Sequence, residues 1–164
     1  MKQKKNIKLL LVDDEVKFLN ASAERLKVKG FDVKTADNGT DAVKLAEENL
    51  FDVAVIDLKM PGIDGGELLK ILKDKHKYLE IIILTGHGSV NSAVECTKLG
   101  AFDYLEKPYY FDSLIDSITR AYEQRLKKKY ETDQKRMEEI RKLATGQSPL
   151  GILKELARMD DEVK

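Results

Sequence analysis

The chain of 164 residues has a single cysteine, Cys96, so no internal disulfide can form, which suits a reducing compartment. It has no surplus of either charge, with 29 Lys and Arg against 29 Asp and Glu. A net charge of zero gives no global pull toward nucleic acid or an anionic membrane. Long apolar runs are also missing. Stretches such as Leu9–Val12 and Ile81–Leu84 are far shorter than a membrane span. The basic start, Met1-Lys2-Gln3-Lys4-Lys5, superficially resembles a secretory leader. However, Lys8 interrupts the apolar run and Asp13-Asp14-Glu15 follows at once, so the segment reads as a strand. No repeat or low-complexity segment occurs. With 42% hydrophobic and 35% charged residues, the composition fits one globular, cytoplasmic domain with a charged surface.

The chain is organised around Val53-Ala54-Val55-Ile56, which runs into Asp57, followed by turns at Met60-Pro61-Gly62 and Asp64-Gly65. An uninterrupted apolar run bounded by turn residues reads as a strand buried on both faces. Similar strands are expected at Ile7–Val12, Ile81–Leu84 and Ala101–Leu105, and Phe31–Thr35 alternates as an edge strand does. Between them, apolar residues recur at helical spacing: Val16, Leu19, Ala23 and Leu26; Ala42, Val43 and Ala46; Leu68, Leu69, Ile71 and Leu72; Val90, Ala93, Val94 and Thr97. Gly30 and Gly100 mark helix ends, and Asn38-Gly39 reads as a turn. A last helix opens at Leu114 and Ile115. Five strands alternating with five helices imply an α/β fold, a doubly wound parallel sheet with right-handed crossovers.

In such sheets, ligands and chemistry gather at the carboxyl ends of the strands. The residues leaving those ends are Asp13 and Asp14, Asp57, Thr85, and Lys107 before Pro108. Three converging carboxylates repel one another, so at least one stays protonated unless a cation intervenes. Magnesium, which prefers oxygen ligands and keeps several waters, suits a few carboxylates plus a backbone carbonyl. A carboxylate can act as a nucleophile toward phosphorus, and a neighbouring hydroxyl and ammonium supply the positioning that phosphoryl transfer requires.

These motifs resemble those of the receiver domains of two-component response regulators: Asp13-Asp14, Asp57 with Met60-Pro61 and Asp64-Gly65, Thr85-Gly86, and Lys107-Pro108, in matching order and spacing. The run from Leu84 through Ser89 to Gly100–Pro108 is most similar to receivers of the nitrogen-regulatory class. The resemblance implies the flavodoxin-like strand order 2-1-3-4-5. It implies Asp57 as phosphoacceptor, and Mg2+ held directly by Asp14, Asp57 and the backbone carbonyl of Lys59, with Asp13 acting through water. Lys107 would pair with the phosphoryl group, Thr85 would hydrogen-bond it, and Tyr104 would be the switch aromatic. A cis Lys107–Pro108 bond is expected. Lys59 and His87, each two residues past a site residue, would sit at the pocket mouth and tune dephosphorylation.

The implied partner is a histidine kinase, and the implied output is a changed face formed by the fourth helix, fifth strand and fifth helix. That face would act on an unknown downstream protein or on a second copy as a homodimer. Two other readings carry weight. One is a constitutive interaction module that uses the face without phosphorylation. The other is a magnesium-dependent phosphatase, which would need a second acid at the spacing Asp-x-Asp, where this chain has Lys59. His76 and His87 read as surface residues, and Cys96 as an apolar filler.

The receiver unit is expected over residues 5–122 and a helical extension over 123–164. No Gly or Pro occurs from Glu123 to Thr145, so the fifth helix continues as a solvated helix, since its apolar stripe is too sparse for a strong coiled coil. Gly146 stops it, and Ser148-Pro149 starts a short helix near 149–159. Leu150, Leu153, Leu156 and Ala157 line one face of that helix, which needs a surface to dock on. This is expected to be an output arm or the start of a linker to a further effector domain. The extension offers no pair of helices suited to reading DNA.

Overall fold

Each strand of the sheet divides its side chains between two cores, because successive residues point to opposite faces. Leu9 and Leu11, Val53 and Val55, and Ile82 and Leu84 join one core, while Leu10 and Val12, Ala54 and Ile56, and Ile81 and Ile83 join the other. The computed structural model describes residues 6–86, 90–144 and 149–163. In chain order the elements are β1 (Lys8–Val12), α1 (Val16–Val28), β2 (Asp32–Ala36), α2 (Gly39–Glu48), β3 (Val53–Asp57), α3 (Gly65–Lys75), β4 (Glu80–Thr85), α4 (Val90–Lys98), β5 (Asp103–Glu106), α5 (Phe111–Ala144) and α6 (Pro149–Val163). All strand pairs are parallel and the order is β2-β1-β3-β4-β5, as expected.

Helices cover both faces. Leu19, Ala23 and Leu26 of α1 and Leu114, Ile118 and Ala121 of α5 close one core. Ala42 and Ala46 of α2, Leu68, Leu69 and Leu72 of α3, and Cys96 of α4 close the other. Burying each large apolar side chain contributes about 1.5–3 kcal/mol, so β3 and β4, buried along their whole length, anchor the fold. Gly30 and Gly100, at φ +99° and +110°, end α1 and α4 as expected.

Several expectations are corrected. Asn38-Gly39 is not a turn: Asn38 caps α2 by accepting the Asp41 N–H at 2.8 Å, and a Cβ on Gly39 would stand 2.7 Å from the Ile63 Cβ. Asparagine favours caps and turns through the same local hydrogen bonding, so the dipeptide does not separate them. The fifth strand, read as buried, is an edge strand with alternating exposure. His76 is half-buried rather than on the surface.

The fifth helix does run on, spanning Phe111–Ala144, but its buried residues end at Ala121. Beyond that point two ion pairs tie it to the amino edge of the sheet: Arg125 to Asp52 at 2.9 Å and Lys128 to the buried Glu80 at 2.9 Å. Asp52 also accepts the Lys8 backbone N–H at 2.9 Å. The last helix continues to Val163, four residues past the expected end at 159, and packs back against α5. Its contact face matches the expected one only in part: Leu156 is half-buried, Met159 is buried and Asp160 pairs with Arg136, whereas Leu150, Leu153 and Ala157 stay exposed. The expected stop at Gly146 and cap at Ser148 lie outside the described residues.

Candidate functional site

Register places the strand ends side by side. Val12 pairs with Ile56, so Asp13 and Asp57 leave the sheet level with each other. Asp57 pairs with Leu84, Thr85 follows Leu84, and Thr85 pairs with Glu106, which precedes Lys107. The backbone continues the ladder for one more step on each side. Asp13 N–H donates to Ala36 O at 3.2 Å, Leu58 N–H to Leu84 O at 2.8 Å, and Lys107 N–H to Thr85 O at 2.7 Å.

One carboxylate oxygen from each of Asp13, Asp14 and Asp57 lies within 4.8 Å of the others. Asp13 and Asp57 are buried and Asp14 is exposed, so the cluster opens to solvent on the Asp14 side. The Lys107 ammonium reaches both buried acids, at 2.8 Å from Asp13 Oδ2 and 3.4 Å from Asp57 Oδ1. Asp13 Oδ1 accepts the Glu15 N–H at 2.9 Å, which fixes the carboxylate at the start of α1. Thr85 is buried, and its hydroxyl donates weakly to Leu105 O at 3.5 Å. The Lys107–Pro108 peptide is cis, as expected. Behind Asp57, the turn closes where Gly65 N–H donates to Leu58 O at 2.9 Å. A Cβ on Gly65 would stand 2.5 Å from the Asp57 carbonyl oxygen, so the position tolerates no side chain.

The Asp57 carboxyl is pushed up to about 6. Burial is the main cause. The Lys107 charge opposes it, and the charges of Asp13 and Asp14 add to it. Mutual repulsion, the cause expected from sequence, is therefore secondary. Burial also works against the Lys107 charge, but the hydrogen bond and charge of Asp13, with Asp57 behind them, outweigh it and raise the Lys107 pKa. The donor set is hard oxygen only, in a buried and charge-crowded corner. It fits a magnesium ion, whose ligands stand at about 2.0–2.1 Å and whose shell retains waters on an open side.

Sequence reasoning missed Phe18, whose ring lies 4.5 Å beneath the Lys107 ammonium and meets Tyr109 edge-on, with centroids 6.3 Å apart. Its place on α1, among residues read for the core, gave no sign of this contact. Tyr104 is 44% exposed on β5, so it is not a core aromatic in this conformation. Lys59 is exposed two residues past Asp57, and His87 lies outside the described residues.

The model of the response regulator receiver domain matches residues 9–119. The chain belongs to that family. Among curated relatives, the receiver resembles an NtrX-like response regulator of Rickettsia conorii, 41% identical over 117 residues, covering 70% of this chain and 25% of the relative. It is 40% identical to the C4-dicarboxylate transport transcriptional regulatory protein DctD of Pseudomonas aeruginosa, over 71% of this chain and 25% of that protein. The chain thus spans about a quarter of the length of these relatives. Among solved structures, the receiver domain of NtrX from Brucella abortus superposes with a TM-score of 0.68 at 32% identity, covering 70% of this chain and 98% of that one. Receiver domains are signalling proteins rather than classical enzymes, and they bind Mg2+ at an acidic pocket. No described helix is long and apolar enough to cross a membrane.

Proposed function

We propose that this receiver is a phosphorylation-controlled switch, with Asp57 accepting a phosphoryl group from the phosphohistidine of a partner kinase in the cytoplasm. The observation that carries the reading is the Lys107 ammonium set between two buried acids in a three-carboxylate corner. An Asp57 oxygen forms the new O–P bond as the N–P bond to histidine breaks, and the histidine nitrogen takes a proton. Bound Mg2+ supplies charge neutralisation for the phosphoryl oxygens and the acids. Asp14, Asp57 and the Lys59 carbonyl would hold it, with Asp13 acting through water. Lys107 leaves its bridge to pair with the phosphoryl group, and Thr85 turns its hydroxyl from the weak Leu105 contact toward the same oxygens.

The output face is α4, β5 and the start of α5. Val94 and Tyr104 both stand exposed there, at 46% and 44%, which supports an apolar contact made by a downstream partner or a second copy. Tyr104 swings inward behind Thr85 and changes that face. We assign residues 5–122 to the receiver unit and 123–164 to a helical extension, because the contacts of α5 with the sheet core end at Tyr122. The relatives named as transcriptional regulators are far longer than this chain, and no DNA-binding role is assigned to residues 1–164.

Intact-protein mass spectrometry after incubation with Mg2+ and acetyl phosphate tests the assignment. The wild type gains one phosphoryl group and Asp57→Asn gains none. An equal gain in the variant would place the acceptor elsewhere.

A further inference from the structure

Phe18 stands one position off the buried stripe of α1. Leu19, Ala23 and Leu26 turn into the core, while Phe18, Ser22 and Arg25, spaced i, i+4 and i+7, share the neighbouring face. That face meets the segment after β5. The Lys107 ammonium stands 4.5 Å from the centroid of the Phe18 ring, and Tyr109 meets the same ring edge-on, with the two planes at 85°. One helical turn or two further on, the Arg25 guanidinium lies over Phe111 at 3.8 Å. Phe18 and Tyr109 are half-buried and both pack on the core beneath α1 and α5, so neighbours rather than solvent fix the position of the ring.

The ammonium has anions at hand, Asp13 at 2.8 Å and Asp57 at 3.4 Å. It also faces the Phe18 ring, and Lys107 lines an open cavity of about 390 Å³ between α1 and the segment after β5. A lysine stem rotates freely, and that cavity offers its head water. The ring face competes with the solvated position, because the negative face of the aromatic quadrupole attracts a cation. Attraction over a ring face has little angular preference, whereas a hydrogen bond weakens steeply as it bends. The ammonium can therefore turn from one oxygen to another and keep the ring beneath it.

We infer that Phe18 is a positioning residue for phosphoryl transfer: its ring face keeps the Lys107 ammonium at the strand ends while the lysine passes from Asp13 to the phosphoryl oxygens. The inference rests on the phosphoacceptor reading of Asp57. Only an interaction that is stronger in the reacting state raises a rate. At rest the ring is one hold among three. Once Lys107 leaves its bridge the two carboxylates no longer restrain it, and the ring is what keeps the head from the cavity. Tyr109 braces the ring from its edge. Phe18 has no oxygen to offer a metal, so its effect falls on the rate of transfer and not on magnesium affinity.

The test is the rate of Asp57 labelling by acetyl phosphate in the full chain, followed by mass spectrometry across a magnesium titration. Phe18→Leu keeps apolar bulk and loses the ring. It should lower the rate at saturating magnesium roughly three- to tenfold and leave the half-saturating magnesium concentration unchanged. Phe18→Tyr, which keeps the ring face, should label within about twofold of the wild type. Replacing Phe18 alone by mono-, di- and trifluorophenylalanine keeps the shape and drains the ring face, so the rate should fall stepwise along the series. A residue that only fills space would show no such series. Tyr110→Leu, which removes an 85% exposed aromatic of the same segment outside the cavity, should label as the wild type does. Without magnesium or donor, proton NMR should find the Lys107 ε-methylene shifted upfield by the ring in the wild type and not in Phe18→Leu. The inference is overturned by wild-type rates in Phe18→Leu or in the trifluoro chain, by Phe18→Tyr or Tyr110→Leu slowing as much as Phe18→Leu, by a Phe18→Leu defect that excess magnesium abolishes, or by an absent ring shift. A wild type that gains no mass, or a gain that survives in Asp57→Asn, would instead overturn the phosphoacceptor reading, and the ring shift would still decide whether Phe18 holds the ammonium.

Discussion

Removing the charge of Asp57 should stabilise the metal-free receiver. The carboxyl stands at about 6 in the folded chain against an ordinary value of 3.8. A group whose folded pKa is raised favours the fold while protonated, and that contribution is lost as pH rises through the folded value. At about 1.4 kcal/mol per pH unit, the ionised carboxylate costs the fold about 3 kcal/mol once the pH is well above 6. Asparagine keeps the shape and drops the charge, and Lys107 keeps its 2.8 Å partner in Asp13. In EDTA at about pH 7.5, Asp57→Asn should therefore exceed the wild type by roughly 1–3 kcal/mol, the lower end allowing for the lost 3.4 Å contact to Lys107. At about pH 5 the gap should shrink by roughly half, because the folded carboxyl takes up its proton while the unfolded one stays ionised, and it should close only as the pH falls below 3.8. Urea unfolding followed by far-UV circular dichroism measures both. A variant no more stable than the wild type at the higher pH would refute the reasoning, as would a gain of the same size at both.

Gly65→Ala should destabilise by more than about 2 kcal/mol and slow Asp57 labelling, since its Cβ meets backbone at 2.5 and 2.7 Å; thermal unfolding and mass spectrometry read the two effects. Arg125→Ala should cost about 1–2 kcal/mol by leaving Asp52, 18% exposed, without its cation, and amide hydrogen exchange should rise along α5 beyond Ala121 before it rises in β3. His76, held below its ordinary pKa chiefly by burial, should erode stability as pH falls from about 6.5 through its folded value; His76→Asn should flatten that part of the pH–stability curve, and an unchanged curve would count against a buried neutral ring.

The sheet and its acidic corner were legible because both are written locally. An apolar run that ends in an acid, a hydroxyl or a lysine records where a strand stops and what leaves it, and parallel register aligns those ends. Contacts between distant residues were not legible. Glu80 sits just before the apolar run Ile81–Leu84 and looks like a surface residue, yet it is buried between Lys73 and Lys128, the latter 48 positions away. Phe18 belongs to a helix whose spacing speaks only for the core, although its ring supports the site lysine. For α6, periodicity singled out Leu150 and Leu153, but the geometry of the return against α5 decided that Met159 would be covered instead.

The long fifth helix is fastened at three levels: by apolar side chains near its start, then by Arg125, then by Lys128. At about 1.5 Å per residue, roughly 28 Å of it projects past Arg125 to Ala144. Were the two ion pairs to act as a fulcrum, a tilt of about 5° there would carry Ala144 through roughly 2.5 Å, about half a helical turn, and α6, packed back on α5, with it. The stiffness of the two bearings at Asp52 and Glu80 would then set how far a rearrangement at the sheet travels along the helix.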